Sequence, residues 1–210
     1  VFGGTEPTYL EPNAPAVGGP EIHVVEQIQE GLVRMSSDGM TVEPLLATDW
    51  TISDDGLTYT FNLVPGVVFS DGTPVKGEDW VWSLYRARDT ETSEYRFIAQ
   101  SINTVEATDS QVVITLTEPN GAFLAELGSF NMVLGCKAYA ESMTEDEYIM
   151  HPIGTGAYML KEWNHGNYVL LEKNPNYRNV DNVKTQYIKF QTVEDDNTRL
   201  MQLQSGQIDI

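Results

Sequence analysis

The stretch Thr185-Gln186-Tyr187-Ile188-Lys189-Phe190-Gln191-Thr192-Val193, with the run Asp195 to Gln204 behind it, decides the class of fold. The first part is rich in β-forming residues and predicts a strand. Asp195 to Gln204 predicts a helix closed by Gly206, after which Ile208-Asp209-Ile210 predicts the start of another strand. Strand, helix, strand is a βαβ-like pattern and implies a partly parallel sheet in an α/β domain. The chain stops inside that last strand, which raises the expectation of a fragment.

Upstream, Ala157 to Trp163 and Tyr168 to Lys173 alternate as two strands joined by Asn164-His165-Gly166-Asn167. The flexible run Pro152-Ile153-Gly154-Thr155-Gly156 leads into them, and Asn174-Pro175-Asn176-Tyr177 ends the pattern. At the other end of the chain, a short strand precedes a segment rich in Pro and Gly, from Glu6-Pro7 to Gly18-Gly19-Pro20. Proline lacks an N–H and holds its predecessor extended, so this segment is read as a loop. Pro20 and Glu21 suit a first helical turn, and Ile22, Val25, Ile28, Gln29 and Leu32 recur at helical spacing. Arg34 to Met40 reads as a strand breaking at Asp38-Gly39.

Between these ends lies a hairpin-rich unit. Trp50-Thr51-Ile52 and Leu57 to Leu63 flank Ser53-Asp54-Asp55-Gly56, and a further turn falls at Ser70 to Pro74. Glu78-Asp79 opens a helix whose Trp80, Val81, Leu84 and Tyr85 share a face. Ile102 to Ala107 and Val112 to Leu116 read as paired strands. Asn120, Lys137 and Thr144 mark the starts of three short helices. Trp50, Trp80, Trp82 and Trp163 accompany these elements, most of them as core residues with a ligand platform as the alternative for any single one, and Met132, Met143, Met150, Met159 and Met201 read as gap-fillers.

Composition narrows the function. Apolar residues make up 41% and charged residues 20% of 210, as in a globular protein with an ordinary core. The formal charge of −19, from 31 acidic and 12 basic residues, repels nucleic-acid phosphates and anionic lipid, so neither is expected as a partner. No apolar run reaches the ~18 residues of a membrane-spanning helix. Cys136 is the only cysteine, which excludes an internal disulfide and a thiolate metal cluster; in its apolar stretch it reads as a small core residue. His23, His151 and His165 are far apart, without HExxH spacing, and there is no GxSxG, GxxxxGK[ST] or GxGxxG. Nothing singles out a pair of carboxylates, so an enzyme is not expected.

Three stretches carry a family resemblance. Gly31-Leu32 through Pro44-Leu45-Leu46-Ala47-Thr48-Asp49-Trp50 is one. Phe69-Ser70-Asp71-Gly72-Thr73-Pro74 through Trp80 is the second. The third joins Pro152 to Tyr158 with Glu172-Lys173-Asn174-Pro175-Asn176-Tyr177 and Leu203 to Asp209. In order and spacing these resemble the bacterial extracytoplasmic solute-binding proteins of family 5, the peptide, dipeptide and nickel class. Ala157 and Arg178 depart from it, standing where Pro and Trp are common. The resemblance implies a periplasmic-binding-protein-like fold (type II, cluster C): an α/β mixed-sheet domain, residues 1–45 and 153–210, carrying an inserted smaller α/β domain, residues 46–152. The second lobe is absent from these residues.

By the same resemblance the chain serves an ABC importer outside the cytoplasmic membrane, in the periplasm or on the surface as a lipoprotein. It would act as a monomer without a cofactor, handing peptides to the permease subunits. A lipid anchor would lie outside these residues. Thr5, Glu6, Pro7 and Thr8 would line the ligand cleft, where an extended segment can pair with a peptide's main chain. An ordinary surface loop is the alternative, and Glu6 reads as a solvated side chain ahead of a charge offered to a cationic ligand. Tyr95 and Phe97 stand where relatives point an aromatic ring at the ligand, with core packing as the alternative. Gly154, Thr155 and Gly156 either approach the ligand or serve only as the crossing between domains. Two other readings share the fold: cargo such as a nickel chelate, haem, an oligosaccharide or an opine, and the ligand-sensing part of a transcriptional regulator. Fold alone does not choose among them.

Overall fold

The computed structural model describes residues 1–15 and 17–210. In chain order the elements are β1 (Phe2–Gly4), α1 (Gly19–Ile28), β2 (Val33–Met35), β3 (Val42–Pro44), β4 (Ala47–Ile52), β5 (Thr58–Leu63) and α2 (Gly77–Asp89). A 3-10 turn, Arg96–Ala99, precedes β6 (Ile102–Thr108) and β7 (Gln111–Leu116). Three short helices follow: α3 (Phe123–Glu126), α4 (Lys137–Ala140) and α5 (Glu145–Met150). The chain then forms β8 (Tyr158–Asn164), β9 (Tyr168–Lys173), β10 (Tyr187–Thr192) and α6 (Asp196–Gln204).

Two four-stranded sheets result. The first has the order β1-β10-β9-β8, with β1 parallel to β10 and Phe2 opposite Phe190; the other pairs are antiparallel. The second, β4-β5-β7-β6, is wholly antiparallel. Its inward positions alternate as period 2 requires: Tyr59 and Phe61 on β5, and Val112, Ile114 and Leu116 on β7, are buried. Against them α2 lays Trp80, Leu84 and Ala87. Each fully buried large side chain here contributes about 1.5–3 kcal/mol. Leu32 and Val33 also bury in this second core, together with Leu46 and Ala47. The first core is smaller, built from Leu10, Val24, Ile28, Tyr158, Val169 and Leu171.

Turn chemistry accounts for the hairpins. Gly39, Gly56, Gly72 and Gly166 each take a positive φ, between 70° and 89°. α2 is fastened at its start by Asp79, whose carboxylate accepts the Lys76 N–H at 2.8 Å and the Lys137 N–H at 2.9 Å.

Three expectations change. α1 ends at Ile28, short of Leu32. Beyond it the Glu30 carbonyl accepts from the Leu134 N–H at 2.9 Å and Gly31 bridges to Val133, so tertiary pairing ends the helix. Residues 208–210 do not form a strand. They do run beside β1, the Asp209 N–H meeting the Val1 carbonyl and the Gly3 N–H meeting the Ile210 carbonyl, each at 2.8 Å. Met201 fills no gap and lies 60% exposed on α6.

Candidate functional site

Beyond β1 the chain crosses the end of the first sheet as Thr5-Glu6-Pro7-Thr8. Thr5 and Thr8 are exposed and Pro7 is buried. The segment is held at both ends. The Gly4 carbonyl accepts from the Val193 N–H at 2.7 Å, and the Leu10 N–H donates to the Ile149 carbonyl at 2.8 Å. The buried Glu21 of α1 accepts the Thr8 N–H through one carboxylate oxygen and the Gly18 N–H through the other. Pro7 has no N–H and that of Thr8 is taken. An added strand would therefore use the carbonyls of this stretch and the Thr5 and Glu6 amides.

Thr5 and Pro7 border a cavity of about 350 Å³ whose other walls include Pro20, His23, Phe190 and Arg199. The Arg199 side chain passes over Gly3, where a Cβ would meet the Ile208 methyl at 2.5 Å. Glu6 turns away from this cavity's polar groups. Its carboxylate accepts from the Trp163 indole at 3.0 Å, the Gly166 N–H at 2.9 Å and the His165 ring at 3.1 Å. Partial burial raises its pKa, and the three donors more than offset this, so the group sits below its ordinary value of 4.5. Glu6 thus fastens the β8–β9 turn rather than standing free in solvent.

Tyr95 is half-buried. The Asn131 side-chain amide donates to its carbonyl at 3.2 Å, and its ring meets Phe130 edge-on, at 4.8 Å and 82°. Phe97, 6.4 Å from Tyr95 between ring centroids, is 64% exposed. Tyr95, Phe130 and Tyr9 all pack on the cluster of Ala14, Val17, Tyr148 and Ile149. The segment that follows Thr8 is therefore in one apolar cluster with the aromatic step of the other unit. Core packing and surface presentation coexist here: Tyr95 packs and Phe97 projects.

Gly154, Thr155 and Gly156 are buried against the end of α1. A Cβ on Gly154 would lie 2.1 Å from the Ile28 carbonyl oxygen, and one on Gly156 2.5 Å from that of Gln27. The Thr155 hydroxyl donates to Glu30 at 3.0 Å, and Arg178 binds the same carboxylate oxygen at 2.5 Å while lying over the Tyr177 ring. The crossing leaves the glycines no open face toward the cavity beside Thr5. Gly156 instead borders a separate groove of about 360 Å³, with Glu30, Arg34, Phe130 and Tyr177. Of the nine residues singled out from the sequence, Thr5 and Pro7 border one hollow, Gly156 borders the other, and Gly154 and Thr155 lie in the buried crossing; Glu6, Thr8, Tyr95 and Phe97 line neither hollow.

Another ionic tie, unlike that of Glu30 with Arg178, joins the two units. Arg86 of α2 binds the buried Glu11 through Nε at 3.1 Å and Nη2 at 3.2 Å, reaches Glu145, and lies over the Trp82 and Tyr148 rings. Burial disfavours its charge, but Glu11 and Glu145 outweigh that and hold the guanidinium above its ordinary range. Sequence reading missed His23, Arg199, Phe130 and Asn131. Apart from the local pairing of Arg199 with Asp196, they meet their partners across long stretches of chain, where no local signal marks them.

Among the described residues no three His, Cys, Asp or Glu side chains converge to hold a metal ion, and no helix is long and apolar enough to cross a membrane. Burial raises the Cys136 thiol's pKa, which makes it a poor nucleophile.

Residues 41–210 match the family described as bacterial extracellular solute-binding proteins, family 5 middle. The glutathione-binding protein GsiB of Escherichia coli O1:K1 / APEC is 34% identical over 186 residues, 88% of this chain and 36% of the relative. The chain therefore spans about a third of the length of such relatives. Among solved structures, the binding protein AgaA from A. tumefaciens R10, in complex with agropinic acid, superposes with a TM-score of 0.90 at 28% identity. That match covers 99% of this chain and 42% of AgaA. DppA from Helicobacter pylori, in complex with the peptide STSA, gives 0.85 at 28% identity, over 99% of this chain and 44% of DppA.

Proposed function

Because the chain belongs to the bacterial extracellular solute-binding proteins of family 5, we propose that it forms part of the peptide-capturing component of an ABC importer. The family consists of extracytoplasmic solute-binding proteins, which carry cargo rather than transform it, and its fold is the type II periplasmic-binding-protein fold. One observation carries the peptide reading. Thr5-Glu6-Pro7-Thr8 is a non-helical segment tied at both ends beside a cavity of about 350 Å³, with carbonyls available to an added strand.

In this reading residues 1–45 and 153–210 form one domain, and 46–152 an inserted one. Thr5, Pro7 and Thr8 meet the ligand's main chain, and Phe97 with Tyr95 covers an apolar group. Glu6, Gly154, Thr155 and Gly156 shape the wall from behind. The protein works as a monomer, in the periplasm or as a surface lipoprotein, and passes short peptides to its permease. The names of GsiB and of the complex of DppA, glutathione and the peptide STSA, support this cargo class over the alternatives.

Calorimetry of the full-length protein with a di- to pentapeptide library and glutathione tests it. Saturable one-to-one binding is the expected result, with residues 1–210 alone binding more weakly because they supply only one wall. Heat from a nickel–histidine chelate or an opine, and none from any peptide, would overturn it.

A further inference from the structure

The two stretches read as ligand-lining, Thr5–Thr8 and Tyr95–Phe97, lie about ninety residues apart in the chain, yet one buried residue links them, through its backbone on one side and its side chain on the other. Asn131 is wholly buried. Its carbonyl accepts from the Asn13 side-chain amide at 3.2 Å, and its own amide donates to the Tyr95 carbonyl at 3.2 Å. Its neighbour Phe130 meets the Tyr95 ring edge-on. Asn13 is itself buried and held by Glu11, which accepts its N–H at 3.0 Å and is clamped by Arg86. From Thr8 the first segment thus runs, through Leu10 and Glu11, into a fixed hydrogen-bonded chain that ends at Tyr95.

We propose that Asn131 is a positioning residue, holding the Tyr95–Phe97 step in register with Thr5–Thr8 and thereby setting the site's preference for an apolar side chain on its peptide. The proposal rests on the reading of those two stretches as ligand-lining. Its physical basis is that Asn131 is wholly buried and bonds to both units, through its backbone carbonyl to Asn13 and through its side-chain N–H to the Tyr95 carbonyl, so displacing either segment breaks a buried hydrogen bond. A pre-set aromatic surface need not be ordered at the moment of binding, which raises affinity for ligands that use it and leaves others unaffected.

The test uses full-length protein carrying Asn131→Ala or Asn13→Ala, each checked for a native circular-dichroism spectrum, with two probes, triglycine and Gly-Phe-Gly. Expected is a loss of roughly three- to tenfold for Gly-Phe-Gly, the size of one aromatic contact, with triglycine changed less than twofold. Equal losses for both probes, or none, would refute the selectivity role. Hydrogen exchange without ligand supplies an independent arm. Both variants should speed exchange at Ile98 N–H, bonded to the Tyr95 carbonyl, and at Ala14 N–H, bonded to that of Glu11, and leave β5 and β7 protected. Loosening confined to one of the two amides would show that Asn131 does not couple the segments. If the unaltered protein binds neither tripeptide, the peptide reading fails by itself, and the exchange arm still decides the coupling.

Discussion

Glu6 shows how one carboxylate can be fully used by structure. Three donors converge on it from the β8–β9 turn, and together they hold its pKa below 4.5. A carboxyl whose folded pKa is depressed stabilises the fold above its unfolded pKa, and that contribution is lost as pH falls through the lower folded value. Glu6→Gln is therefore expected to lower the melting temperature at pH 7 and to carry a smaller penalty at an acid pH below the depressed folded pKa, where the carboxyl is protonated. Trp163 donates its indole N–H to Glu6, so its fluorescence should titrate in the same acid window in the unaltered protein and be flat in the variant. An equal penalty at both pH values would mean that the carboxylate's charge is not what fastens the turn.

The crossing from the inserted stretch back to β8 depends on contact between whole elements. α1 ends at Ile28, and its last carbonyls face Gly154 and Gly156 with no room for a side chain; the Gly156 N–H donates to the Ile28 carbonyl at 2.8 Å. Overpacking costs about 1–3 kcal/mol, occasionally more, and here the obstructing atoms are backbone, which yields least. Gly154→Ala should therefore destabilise the protein by about 3 kcal/mol in urea unfolding. Gly19→Ala is the control, with no atom within 4 Å of its added carbon, and should stay within about 0.5 kcal/mol. Similar behaviour of the two variants would show that α1 and the crossing are not in tight contact. Asp79 does the same kind of joining work for α2 and α4, through two backbone N–H groups rather than by exclusion of a side chain.

Across the whole molecule, two buried ion pairs fasten the sheets' surroundings together: Glu11 with Arg86, and Glu30 with Arg178. Glu11 is only 3% exposed and Arg86 12%, so removing one partner strands a charge in a medium that solvates it poorly. Arg86→Met should cost about 3–5 kcal/mol in chemical denaturation. Replacing both, as Glu11→Leu with Arg86→Met, should recover much of that loss, because no unpaired charge remains. A single variant within about 1 kcal/mol of the unaltered protein would place the tie elsewhere. The role of Arg178 shows only at this scale: it neutralises Glu30 beside Thr155 and reaches toward the Leu45 carbonyl at 3.4 Å.

The amino-acid sequence by itself determined the local elements and the family. Alternating β-formers around Asp55-Gly56 and Gly166, the Pro20 helix start and the Thr144 cap each act over a few residues, so their signals are intact in one stretch of chain. Only the tertiary structure decided where α1 stops, that residues 208–210 lie beside β1 without becoming a strand, and that Glu6 is consumed by a turn about 160 residues away. It also decided that Asn13, Tyr95 and Asn131 meet. The physical reason is the same in each case. A buried hydrogen bond or a close backbone contact depends on which distant groups share a dry interior, and local periodicity carries no record of that pairing.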